Sequence, residues 1–194
     1  MPHWNWKGKE GDTIPVFCYT NYPSAELFVN GKSQGKRVKT KENFQTRYRL
    51  MWNNVRYEPG TIKVVAYDST GKAVASKELS TAGKAAQLEL LADRTTIKAD
   101  GKDLSFVTVK ITDEKGNLVP DAANQLSIKV SGSGSFRAVC NGDATSLELF
   151  HLPTMKAFNG MLVVVVEAAE KAGKIVVEIT GEKLKKGVIE LNAE

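Results

Sequence analysis

The sequence predicts an all-β protein: two tandem immunoglobulin-like antiparallel β-sandwiches, over residues 1–83 and 84–194. Three observations lead there. Short stretches alternate apolar and polar residues with the two-residue period of half-buried strands. Turn-forming residues separate these stretches at short, regular intervals. The alternation lapses at Thr81-Ala82-Gly83-Lys84 and restarts directly afterwards, as at a boundary between modules.

The first module is organised around Ser24 to Gly35. Ala25, Leu27 and Val29 alternate with Ser24, Glu26 and Phe28, and Asn30-Gly31 supplies the two residues tolerant of positive φ that a type I′ hairpin turn requires. The return strand, Lys32 to Val38, is polar and cationic, a composition that protects a sheet edge from pairing with other chains. Before the hairpin, Thr13 to Thr20 reads as a strand with Ile14, Val16 and Cys18 on one face and Phe17 and Tyr19 on the other. After it, a strand is expected over Phe44 to Trp52, with Thr46, Tyr48, Leu50 and Trp52 sharing a face. Glu58-Pro59-Gly60 turns the chain into a strand over Thr61 to Tyr67, and Asp68-Ser69-Thr70-Gly71 leads to a last strand over Ala73 to Leu79. Six or seven strands in roughly 80 residues is the count of an immunoglobulin-like sandwich.

The second module offers strands at Gln87 to Leu91, Thr95 to Lys98, Leu104 to Thr112, Leu126 to Val130, Ser135 to Cys140, Leu162 to Ala168, Lys174 to Thr180 and Val188 to Leu191. Only Ala168 to Lys171 and Gly181 to Lys186 hint at helix, and both are very short. Within Met161 to Val166 every residue is apolar, the length and composition of a buried strand. The segment 141–160 is a loop about twice the usual connection length, and long ordered loops tend to be functional or to pack on another body.

Bulk properties exclude several classes. At 42% hydrophobic and 25% charged, the chain has the composition of a folded globular protein. No apolar run approaches the roughly 20 residues of a membrane-spanning helix, so no membrane insertion is expected. The N-terminus lacks a signal-peptide pattern, and an exported form would carry its signal upstream of Met1. The net charge of +5 is uneven: 14 Lys and Arg face 7 Asp and Glu through Lys84, a net of +7, and 13 face 15 beyond it, a net of −2. The basic cluster at Lys32, Lys36, Arg37, Lys39 and Lys41 has no interleaved aromatic residues, which favours a solvated strand edge over a nucleic-acid surface. Cys18 and Cys140 fall in different modules and in strand-like sequence, so they read as small core residues or inert thiols and not as a disulfide.

Catalytic raw material is sparse. The two histidines, His3 and His151, lie in different modules, which leaves little for a Ser-His-Asp or Cys-His arrangement. Phosphate-cradling glycine loops and paired cysteine ligands are missing, so no cofactor is expected. Asp143, Glu148 and His151 match no metal-ligand spacing, and a polar loop with one buried histidine is the better reading. Most acids occupy turns or the polar faces of strands, unlike the facing carboxylates of glycoside hydrolysis. The chain opens on His3-Trp4-Asn5-Trp6, an unusual aromatic density for a terminus. Three roles are open for Trp4 and Trp6: packing against a body upstream, covering one end of the first sandwich, or stacking on a sugar.

Several motifs taken together resemble the region after the catalytic barrel in bacterial glycoside hydrolase family 2 enzymes of the β-galactosidase type. They are Pro2-His3-Trp4-Asn5-Trp6, Pro15 to Thr20, Glu26 to Ser33, Tyr57-Glu58-Pro59-Gly60, Val64 to Tyr67 and Thr81-Ala82-Gly83 in the first module. In the second they are Ala92-Asp93-Arg94, Ala99-Asp100-Gly101, Asn141 to Ser146 and Ala157-Phe158-Asn159-Gly160. The resemblance implies a non-catalytic C-terminal fragment of a larger hydrolase, periplasmic or extracellular by analogy, whose catalytic glutamates lie in a barrel absent from this sequence. It implies the catalytic barrel as partner, reached through binding or docking residues Trp4, Trp6, Asn141, Asp143, His151, Phe158 and Asn159, with the long loop shaping the rim of the cleft. The alternatives are a carbohydrate-binding module that recruits polysaccharide and a cell-surface adhesin or spacer.

Overall fold

A computed structural model describes residues 3–194; the motif residue Pro2 lies outside the described residues. The chain divides into two compact units, Met1–Thr81 and Ala82–Glu194. Both are built from strands, and among the described residues there is no helix. The two expected helical hints are an irregular bend after Ala168 and a turn after Gly181.

The first unit comprises β1 (Thr13–Cys18), β2 (Ser24–Val29), β3 (Lys32–Val38), β4 (Leu50–Arg56), β5 (Thr61–Tyr67) and β6 (Ala73–Ser80). A four-stranded antiparallel sheet, β3-β2-β5-β6, faces a two-stranded one, β1-β4. The alternation read in the sequence puts Ala25, Leu27 and Val29 of β2 with Ile62 and Ala66 of β5 in the core. Cationic β3 lies at the sheet edge. Between β2 and β3, Asn30 and Gly31 have φ of 48° and 77°, the positive values a two-residue I′ turn needs.

One expected strand is displaced. Residues 44–49 form turns and bends, and β4 starts at Leu50 and runs on to Arg56. Leu50, Trp52 and Val55 are buried, whereas Phe44 is 82% and Tyr48 68% exposed. An apparent alternation that mixes Thr46 and Tyr48 with two true core residues was a coincidence of spacing; a strand holds where one face is buried.

Asn30 does more than turn the hairpin. Its side chain donates to the Pro59 carbonyl at 3.2 Å and accepts from the Thr61 amide at 2.8 Å, fastening the hairpin tip to the turn before β5. Gly60 sits in that turn at φ 134°, and a Cβ built there would lie 2.0 Å from Asn30 Oδ1.

The second unit comprises β7 (Gln87–Ala92), β8 (Thr96–Ile97), β9 (Leu104–Thr112), β10 (Gln125–Gly132), β11 (Gly134–Cys140), β12 (Thr154–Lys156), β13 (Met161–Ala168), β14 (Gly173–Gly181) and β15 (Gly187–Ala193). They form a four-stranded sheet, β11-β13-β9-β7, and a five-stranded one, β12-β10-β14-β15-β8. All ladders are antiparallel except the short β15–β8 pair, which is parallel. The core is the inner face of both sheets: Val107, Val109 and Ile111 of β9, Leu162, Val164 and Val166 of β13, and Ile175, Val177 and Ile179 of β14. Ser131 to Gly134 is not a hairpin turn, since β10 and β11 belong to different sheets. Gly132, at φ 92°, lets the chain cross between them, and a Cβ there would lie 2.1 Å from the Lys174 carbonyl oxygen.

Asp113, 5% exposed, organises the turn after β9. Burial works against its charge. Hydrogen bonds from the Gly83 amide, the Asn117 side chain and the amides of Asn117 and Lys115, at 2.8 to 3.0 Å, outweigh that penalty and hold the carboxyl down at about 2.

Two outcomes are expected. Gly60→Ala should cost about 1–3 kcal/mol, because it strains the backbone and evicts the Asn30 side chain; an unchanged melting temperature contradicts this. Because the folded carboxyl of Asp113 titrates below its unfolded value, its contribution is complete above the ordinary carboxylate range and is lost as pH falls through about 2. Acid titration of the second unit should therefore show less destabilisation between about pH 4 and pH 2 in Asp113→Asn than in the parent.

Candidate docking surface

The long segment contains structure of its own. Residues 154–156 form β12, which pairs with β10 at the edge of the five-stranded sheet, and the loop proper is 141–153. Asn141 donates through Nδ2 to the Lys156 carbonyl at 2.9 Å and accepts the Asp143 amide at 3.0 Å. Asp143 in turn accepts the hydroxyl and amide of Thr145 at 2.7 and 2.9 Å, which hold its carboxyl below its ordinary value. The Glu148 carboxylate accepts the Lys156 amide at 3.1 Å and the Gln125 side chain at 3.2 Å. The Phe150 and Pro153 carbonyls accept amides of β11 and β10, from Val139 and Ile128, at 2.8 Å each.

Apolar side chains crown this hydrogen-bonded frame. Leu147 is 95% exposed, and Leu149, Phe150 and Leu152 are exposed as well. His151 among them is exposed and not buried, a correction to the reading of a polar loop around a buried histidine. Among the described residues no group of three His, Cys, Asp or Glu gathers for a metal.

A second apolar region was not anticipated. It is the outer face of the sheet β11-β13-β9-β7. Register places Cys140, Val163, Thr108 and Leu91 in one row across the four strands, and Ala138, Val165 and Phe106 in the next. Leu91 and Phe106 are 58% and 44% exposed, and Val163 and Val165 are half-buried. Ion pairs bound the patch at Lys110–Glu89 (3.4 Å) and Arg137–Glu167 (3.7 Å). An antiparallel sheet with one solvated face ordinarily alternates to polar residues outside. The signal was present in the unbroken apolar run Met161 to Val166, of which only alternate residues enter the core. Cys140 lies on this outer face, exposed, so the second cysteine is not a core residue; Cys18 packs beside the core of the first unit, and both are free thiols.

The remaining predicted site residues divide. Trp4 is fully buried and belongs to the core of the first unit, which takes it out of any stacking or docking surface. Its Nε1 donates to the Glu58 carbonyl at 3.0 Å, its ring meets Tyr57 edge-on at 5.0 Å, and its carbonyl accepts the Thr81 hydroxyl. Trp6 is half-buried and lines a cleft. Phe158, 40% exposed, and Asn159, at φ 51°, make the turn into β13 together with Gly160, where a Cβ would lie 2.2 Å from the Val119 carbonyl oxygen. That turn and Asn141 and Asp143 are scaffold for the loop and the strand after it.

A pair of all-β units, the second with an apolar outer face on its four-stranded sheet, is the class the geometry defines. Residues 88–190 match the model of glycoside hydrolase family 2 C-terminal domain 5, and residues 11–75 match a domain of unknown function, DUF4982. The whole chain is 46% identical over 195 residues to the β-galactosidase BoGH2A of Bacteroides ovatus, of which it covers 22%. Among solved structures, a β-glycosidase from Bacteroides vulgatus superposes with a TM-score of 0.91 at 33% identity, covering 100% of this chain and 24% of that one. A glycosyl hydrolase family 2 member from Bacteroides cellulosilyticus gives 0.91 at 32% identity with the same coverage. The chain belongs to glycoside hydrolase family 2, as a C-terminal portion of such an enzyme. It spans under a quarter of the length of these relatives.

Removing the Glu148 carboxylate tests the loop frame. Glu148→Ala should speed hydrogen exchange of the Lys156 amide by on the order of tenfold with little change in global stability; unchanged exchange contradicts the assigned role.

Proposed function

We propose that this chain is the non-catalytic accessory portion of an exported β-galactosidase-like glycosidase, and that the outer face of β11-β13-β9-β7 with the crest of loop 141–153 docks on the catalytic part of the parent enzyme. The observation that carries this reading is the two-row apolar patch of Cys140, Val163, Leu91, Ala138, Val165 and Phe106. Monomeric proteins rarely leave such contiguous apolar surface to water without a partner. The relatives supply one, since more than three quarters of each lies outside the region matched here. The loop crest fits the same role: its backbone is fixed by Asn141, Asp143 and Glu148, so presenting Leu147 or Phe150 to a partner costs little ordering entropy.

Catalysis is assigned to the absent part. Periplasmic or extracellular location is the expectation that the family resemblance carries. The isolated chain should leave nitrophenyl β-galactoside intact and should capture the catalytic part of its parent supplied as a separate polypeptide. Phe106→Asp combined with Val163→Asp should weaken that capture by about 2 kcal/mol or more while the fragment stays folded. Capture of equal strength by the double variant, measured by calorimetry, would overturn the assignment of this face.

A further inference from the structure

The first unit carries a concave site that the docking reading does not use. A cleft of about 490 Å³ is lined by Trp6, Ile14, Phe17 and Tyr19, with Lys9, Asp12 and Thr13 supplying its polar groups. That volume lies within the range of small-molecule sites, which are mostly apolar with a few placed polar groups. Tyr19 is 69% exposed, an unusual position for a large aromatic. Phe17 is held under the Arg49 guanidinium, 5.1 Å from its ring centre. Trp6 is fixed at its backbone by the Tyr57 hydroxyl, at 3.1 Å, and its ring packs 5.1 Å from His3. The indole N–H of Trp6 is buried without an acceptor in the structure.

We infer that this cleft binds a pyranose unit of a polysaccharide. The C–H face of a sugar ring is apolar and slightly positive, and it complements the negative face of an exposed aromatic ring. The ring hydroxyls need donors and acceptors beside that platform. Asp12 accepts, and Lys9 and Thr13 donate; the Lys9–Asp12 pair, at 3.5 Å, is open to solvent on both sides and free to exchange partners. The outer face of the second unit has the opposite character, an apolar sheet surface with ion pairs at its margins, and suits a protein. A polysaccharide held at the cleft raises the local concentration of substrate for a linked catalytic part. The inference stands independently of the docking surface, and neither fails with the other.

The test is a titration of the 194-residue chain with galactobiose and with cellobiose, followed by tryptophan fluorescence and by the indole N–H resonances of Trp4, Trp6 and Trp52. Saturable quenching by at least one sugar is expected, with the Trp6 indole signal shifting and those of Trp4 and Trp52 unmoved. Tyr19→Ala removes an exposed side chain, so its melting temperature should match the parent while the affinity falls at least about tenfold. Asp12→Asn should weaken binding as well, at unchanged stability. A flat titration with both sugars, a response confined to Trp4 or Trp52, or full affinity in Tyr19→Ala overturns the proposal.

Discussion

A strand has two faces, and in each unit of this protein one face alone can enter the core. Everything else follows from that parity. In the second unit, β13 pairs with β9 on one side and β11 on the other, and the register sends Leu162, Val164 and Val166 inward together with Val107 and Val109. The same ladders then force Val163 and Val165 outward, beside Phe106 and Ala138. A one-residue slip would exchange the two sets, and with Val on both faces of β13 the side chains of that strand alone would not resist it. Register is therefore held by its neighbours, where Thr108 and Lys110 alternate with Val107 and Val109.

Where the alternation was clean, the strands stood where the residues placed them. The Asn30-Gly31 hairpin, β5 and β9 are examples, because each has one apolar face and is bounded by turn chemistry that few other conformations accept. Reading failed at residues 44–49, where alternating side chains belonged to no buried surface, and at Met161 to Val166, where composition cannot say which face is the outer one. The site was less legible than the fold. Asn141, Asp143 and Asn159, expected as binding or docking residues, hold local hydrogen bonds and a turn in the structure. Trp4, conspicuous for its size, is a core residue, whereas Tyr19, just past the end of β1, and Phe106, on the outer face of β9, stand exposed. Exposure is a property of the assembled sheet, and no local pattern encodes it.

The two exposed regions differ in chemistry as well as in place. The outer face of the second unit is an apolar sheet surface bordered by ion pairs, one that gains by excluding water over an area. The cleft of the first unit is concave and aromatic, with an acid, a base and a hydroxyl at hand, a surface that reads one small polar ring. An accessory region that carried both would join attachment to the enzyme with attachment to its substrate.

Trp4 has a consequence beyond packing. Its carbonyl accepts the hydroxyl of Thr81, and the Thr81 amide donates to the Gly60 carbonyl, so residues 4 and 81 of the first unit meet. A module whose two ends meet behaves as a cassette. Insertion or removal of such a module leaves the separation of the segments on either side of it nearly unchanged.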